Sequence, residues 1–179
     1  MFSALALNNG NMRSRINAFA ALAPVVSFKY QDSARKEAGI DVFVRTATRV
    51  TAANKIYELG PSLGDLKQMI PVFRLIPGIN KKIEALRNQT ISVKQLLHFC
   101  QLELSGLFQE YDYGEEENQE RYNQDTPPEI PLGDLSTPVG MWIGENDKIG
   151  TSNDNDYVKT LLPNVEEYEV VEGFLHNSF

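Results

Sequence analysis

Val139-Gly140-Met141-Trp142-Ile143, followed by Gly144-Glu145-Asn146-Asp147, decides the fold together with the stretch from Asn155 to His176. The first five residues read as a buried strand, and the Gly/Asn-containing run behind them reads as the loop that leaves it. Asn155–Leu162 reads as a short helix stopped by Pro163, and Tyr168-Glu169-Val170-Val171 as a second strand. Strand, helix and strand in that order make a βαβ unit, which commits the sheet to parallel pairing with a right-handed crossover. The fold class is therefore α/β.

Upstream, Ile16-Asn17-Ala18-Phe19-Ala20-Ala21-Leu22-Ala23 is nearly continuously apolar and is closed by Pro24, the pattern of a parallel strand buried on both faces; a buried helix shows the same pattern, and Pro24 with Val25-Val26 decides for the strand. Met1–Leu7 before Asn8-Asn9-Gly10 reads as the end of a helix. Between the strands the character changes. Ala34–Leu59 and Leu63–Phe73 read as helices, Pro77-Gly78 as a break, and the stretch from Ser92 as an amphipathic helix. The packing face of that helix carries Val93, Leu96, Leu97, Cys100, Leu104 and Leu107, with Ser92 as its cap. Glu115–Glu120 with Thr126-Pro127-Pro128 reads as an acidic, solvated surface loop. The stretch from about Gln31 to Pro131 thus reads as a mostly helical insertion between sheet strands.

In open parallel sheets, reactive groups sit just past the carboxyl ends of the strands. Asp147 and His176 occupy those positions after consecutive strands and suit a pair in which a carboxylate fixes the imidazole tautomer. Each also has a bland reading, Asp147 as a turn former and His176 as a hydrogen-bonded, half-buried imidazole. His98 projects away from the packing face of its helix and reads as a surface or inter-helix hydrogen-bonder. No serine is expected in the Gly-x-Ser-x-Gly turn of an exposed nucleophile, Ser3, Ser14 and Ser27 lacking flanking glycines, and Cys100 falls on a packing face where a thiol is inert. The expectation is an acid and a base without an evident nucleophile.

Composition narrows the classes further. The 179 residues carry 17 Lys+Arg against 24 Asp+Glu, a net charge of −7 that offers nucleic acid or an anionic membrane no electrostatic footprint. One cysteine and two histidines leave little material for a zinc site and exclude an intrachain disulfide. No metal or other cofactor is expected. No apolar run reaches the ~18 residues of a membrane span.

Several stretches together resemble the acid lipase family of α/β-hydrolases, the gastric and lysosomal acid lipases and their relatives. They are Phe19–Val25 with Lys29-Tyr30, Ser92-Val93 with His98, and Ser105–Gly114; then Asn118, Tyr122, Pro127-Pro128, Pro138-Val139, Trp142, Gly144, Asp147, Leu161–Asn164 and His176. The resemblance implies a partial α/β-hydrolase fold with core segments over 1–30 and 137–179 and a helical insertion over 31–136 that is a cap over the active site. It implies that Asp147 is the triad acid and His176 the triad base of a serine ester hydrolase acting on triacylglycerols or sterol esters at a lipid–water interface. It also implies that the nucleophile elbow and the oxyanion-hole donors lie upstream, the elbow roughly ten residues before Met1. The chain alone is then expected to be inactive. The competing reading is a non-catalytic, truncated or degenerate hydrolase acting as a lipid- or protein-binding module. Nothing in the residues gives a compartment, and the resemblance implies a lysosomal or secreted one.

Overall fold

The computed structural model describes residues 1–7, 14–30, 40–53, 57–59 and 91–179. It divides into two compact units, Met1–Gln31 with Gly106–Phe179, and Asp32–Ser105. Residues 106–136, expected to belong to the insertion, group with the first unit.

The first unit is built on a parallel sheet of β1 (Phe19–Leu22), β4 (Val139–Gly144) and β5 (Val165–Val171), with β4 in the middle. Phe19 to Leu22 lie opposite Val139 to Trp142, and Met141 and Trp142 opposite Tyr168 and Glu169. Phe19, Ala21, Val139, Met141 and Tyr168 thus share one face. Ala21, Val139 and Met141 are buried there beneath Phe2, Leu5 and Ala6 of α1 (Phe2–Ala6) and Val158 and Leu162 at α5 (Ser152–Leu161), with Ile130, Leu132 and Leu135 completing the core. The opposite face carries Ala20, Leu22, Gly140 and Trp142, and Leu22 is 56% exposed. Among the described residues β1 pairs with β4 and is packed on one face, where both faces were expected to be buried. The apolar run is right for a parallel sheet, but hydrophobicity cannot say whether a layer covers each face.

Helix α1 bears out the reading of Met1–Leu7; the Asn8-Asn9-Gly10 stop lies outside the described residues. Helix α5 and strand β5 each begin three residues before the expected starts at Asn155 and Tyr168. The helix starts early because Thr151 caps it: its Oγ1 accepts the Asp154 N–H at 3.2 Å and donates to Asp154 Oδ2 at 2.7 Å.

Residues Glu115–Tyr122 form a helix, α4, where a loop was expected. Three glutamates in the first turn complement the helix dipole, and Arg121 pairs with Glu117 one turn earlier at 2.6 Å. Asn118, the helix's buried residue, ties it down: its Oδ1 accepts the Tyr113 N–H, and its Nδ2 donates to Asp112 Oδ1 and to the Asp125 carbonyl.

In the second unit, α2 (Ile40–Ala53) packs against α3 (Val93–Ser105), and β2 (Glu58–Leu59) pairs antiparallel with β3 (Ile91–Ser92). The single helix expected over Ala34–Leu59 is corrected, because Glu58–Leu59 is strand. Helix α3 starts where Ser92 Oγ accepts the Gln95 N–H, and it buries Val93, Leu97, Cys100 and Leu102. Leu107 does not join that face. Gly106, at φ +69°, ends the helix first, and Leu107 is exposed. Leu63–Phe73 and Pro77-Gly78 lie outside the described residues. No described helix is long and apolar enough to cross a membrane.

At β5, Tyr168 donates its hydroxyl to Asp156 Oδ1 at 2.6 Å with Lys159 Nζ 4.3 Å from its ring centre. Burial, then the bond to Asp156, raises its pKa above the ordinary phenol value of 10.0. A raised phenol pKa favours the neutral form in the folded state, so this contribution to stability is full below the unfolded-state value and is lost as pH rises through the folded one. In an alkaline titration followed by tyrosinate absorbance, Tyr168 is expected to ionise after the more exposed tyrosines. Tyr168→Phe should remove the last step; an unchanged profile would refute the assignment.

Candidate active site

The site is assembled where β1, β4 and β5 end together. After β4 the chain turns at once: Asp147 N–H donates to the Gly144 carbonyl at 3.0 Å, closing a tight turn. This turn locks to the segment after β5, with Asn146 N–H donating to Phe174 O at 2.9 Å, Glu145 N–H to Val171 O at 3.0 Å and Gly173 N–H to Glu145 Oε2 at 2.9 Å. The approach is so close at Gly144 that a Cβ there would sit 2.6 Å from the Phe174 carbonyl oxygen. Glycine is the residue type that allows it. On the other side, a Cβ on Gly150 would lie 2.5 Å from the Pro24 carbonyl oxygen. The loops after all three strands are therefore in contact.

Within this frame the structure brings Asp147 and His176 together. His176 Nδ1 lies 2.8 Å from Asp147 Oδ2; the aspartate side chain is fully buried and the histidine's is 29% exposed. Asp147 Oδ1 is already occupied, accepting the Ile149 N–H at 2.8 Å and the Gly150 N–H at 3.0 Å. A carboxylate only accepts, so the bond to Oδ2 places the imidazole proton on Nδ1 and leaves Nε2 as the basic nitrogen. One oxygen of the Asp147 carboxylate makes the turn and the other lies against the histidine.

Other sequence candidates fall elsewhere. Ser27 is buried and donates to Asp154 Oδ1 at 3.2 Å while accepting the Lys29 N–H, so its hydroxyl is committed to the loop after β1. Cys100 is buried on α3, as expected, and His98 on the same helix is half-buried. Two residues escaped the sequence reading: Asp154 and Asn155, each 1% exposed, which anchor the loops flanking the pair. Their polarity within an otherwise ordinary helix start was the only available signal.

A nucleophile signal also escaped it. Gly60-Pro61-Ser62-Leu63-Gly64 matches Gly-x-Ser-x-Gly. A nucleophile elbow requires the serine between a parallel strand and a helix. The strand immediately before this match, β2, pairs antiparallel with β3 in the second unit, and residues 60–64 themselves lie outside the described residues. The correct form of the expectation is that no such motif follows a described parallel strand.

Comparison with known proteins adds to this geometry. No family model matches the chain. Gastric triacylglycerol lipase of Mus musculus is 26% identical over 193 aligned positions, covering 96% of this chain and 48% of the lipase. The tear acid lipase-like protein of Mesocricetus auratus is 33% identical over 89 positions, 49% of this chain and 22% of its own. A Crotalus adamanteus protein named for lysosomal acid lipase/cholesteryl ester hydrolase is 30% identical over the same length, again 49% and 22%.

The chain is a distant homologue of the gastric and lysosomal acid lipases. It spans about half, or less, of the length of these curated relatives. The solved structure of DcsB in complex with its substrate analogue superposes with a TM-score of 0.50 at 17% identity, over 99% of this chain and 52% of that one, a likeness of fold alone. The three-stranded parallel sheet with its helices is accordingly part of an α/β-hydrolase fold.

Proposed function

We propose that this acid lipase homologue supplies the acid and base of a serine ester hydrolase acting on lipid esters, triacylglycerols or sterol esters, at a lipid–water interface. The observation that carries the reading is the His176–Asp147 bond at the carboxyl ends of neighbouring parallel strands, with the carboxylate's second oxygen held by two backbone N–H groups. In this mechanism His176 Nε2 takes the proton of a serine hydroxyl as it attacks the ester carbonyl, and Asp147 stabilises the imidazolium that forms. The imidazolium then protonates the departing alcohol. Water repeats the sequence on the acyl-enzyme and frees the acid.

In this reading the nucleophile and the oxyanion donors lie in sequence upstream of this chain, and the cap role falls to Asp32–Ser105 of the expected insertion. The gastric and lysosomal names of the relatives support a secreted or lysosomal setting. No cofactor enters any step. The test is active-site labelling with a fluorophosphonate, together with turnover of a short-chain ester, on the longer polypeptide encoded by extending this reading frame upstream. The expected result is one labelled serine in a Gly-x-Ser-x-Gly motif upstream of Met1 and turnover that requires it. Absence of both would favour the binding-module reading. The 179-residue chain assayed alone should stay at the buffer background, and turnover removed by Ser62→Ala would instead put the nucleophile within this chain.

A further inference from the structure

We propose that Asn155 is a positioning residue for the Asp147–His176 pair, acting through Gly150; the inference rests on the acid–base reading above. Asn155 lies in the first turn of α5 and is 1% exposed. Its Nδ2 is within hydrogen-bond distance of three carbonyl oxygens, those of Pro24 at 3.1 Å, Gly150 at 3.1 Å and Thr151 at 3.0 Å. Two amide protons serve three acceptors, so one proton is shared. Pro24 belongs to the loop leaving β1 and Gly150 to the turn leaving β4, and one carboxamide therefore clamps the ends of two adjacent strands.

Gly150 is the link to the pair. Its carbonyl is held by Asn155, and its N–H is one of the two donors on Asp147 Oδ1. These two groups lie on the peptide planes either side of the Gly150 Cα, so holding the carbonyl restrains the Gly150 backbone and, through it, the N–H that orients the carboxylate with Oδ2 facing His176 Nδ1. The chemistry of Asn155 is tuned to donation. Its own Oδ1 is buried with no hydrogen-bond partner among the described residues, an unfavourable arrangement for a residue that only fills space. Leucine would fill the volume without that penalty, and aspartate would set a carboxylate against three carbonyl oxygens. The requirement is for a buried donor at this point.

The experiment observes the imidazole Nδ1 proton of the intact chain by proton NMR. A downfield, slowly exchanging resonance in the unaltered chain that disappears in Asp147→Asn supports the pair. Its absence from the unaltered chain, or its survival in Asp147→Asn, defeats the acid–base reading itself. Asn155→Leu and Asn155→Ala test the positioning role, with folding monitored by Trp142 fluorescence. In folded variants the resonance is expected to exchange with solvent about tenfold faster, the factor that losing one hydrogen bond of ordinary net strength gives. Unchanged position and exchange in a folded variant would reduce Asn155 to a helix anchor and overturn the proposal. Hydrogen exchange in the unaltered chain decides the matter even if neither variant folds. The Asn155 side-chain protons and the Gly150 N–H should open together with the Nδ1 proton. Rapid exchange of the Asn155 amide beside a protected Nδ1 proton would overturn it.

Discussion

In the longer polypeptide that the proposed function requires, His176→Ala and Asp147→Asn are each expected to lower kcat for ester hydrolysis by about three to four orders of magnitude, with KM little changed. The alanine removes the proton acceptor. The asparagine is the sharper test because it alters almost no volume. Ile149 and Gly150 present two N–H groups to one oxygen of residue 147, so the asparagine would place its carbonyl oxygen there and turn its amide nitrogen toward His176. That nitrogen donates, and Nδ1 would have to become the acceptor. The imidazole proton would then sit on Nε2, where the mechanism needs a lone pair. Initial rates on a short-chain soluble ester isolate the chemical step from lipid-interface binding. A loss smaller than tenfold in Asp147→Asn, with the protein folded, would show that the carboxylate serves the turn and not catalysis.

The same carboxylate shows why the pair was legible before the structure and its supports were not. Strands β4 and β5 announce themselves through local pattern, apolar runs bounded by Pro138 and by Gly144-Glu145-Asn146, and parallel topology then puts their carboxyl ends side by side. Asp147 and His176 follow from that logic with no knowledge of packing. Asn155 does not. Its partner Pro24 is 131 residues away in sequence, and no pattern around either residue signals which carbonyl will arrive beside which amide. The misreadings share this origin. Glu115–Tyr122 looks solvated by composition, yet Asn118 gives it a buried anchor that composition conceals. Leu107 continues a helical period on paper, but Gly106 takes the chain out of the helix before the period can act. The run at Phe19–Leu22 records that it belongs in a parallel sheet, not how many layers cover it.

Asp154→Ala is expected to destabilise the first unit by about 3 kcal/mol, more than a typical single substitution. Asp154 is 1% exposed, and its carboxylate accepts from Ser27 Oγ, from the Tyr30 N–H at 2.9 Å and from Thr151 Oγ1. Both hydroxyls can rotate toward another acceptor when the carboxylate goes. The Tyr30 N–H is fixed by the backbone and cannot, so it loses its bond outright. The favourable interaction of a carboxylate with the N-terminus of α5 is lost as well. Asp154→Asn separates these contributions. Its carbonyl oxygen can keep the Tyr30 and Ser27 bonds, leaving only the Thr151 contact reversed and the charge removed, for a loss of about 1 kcal/mol. Trp142, the sole tryptophan, lies on β4 within the same unit, so urea unfolding followed by its fluorescence reads the unit that Asp154 holds. The expected order is unaltered chain, then Asp154→Asn, then Asp154→Ala. Equal losses for the two variants would assign the stability to charge at the helix start, and a loss below about 1 kcal/mol for Asp154→Ala would show that the loop after β1 is held by other contacts.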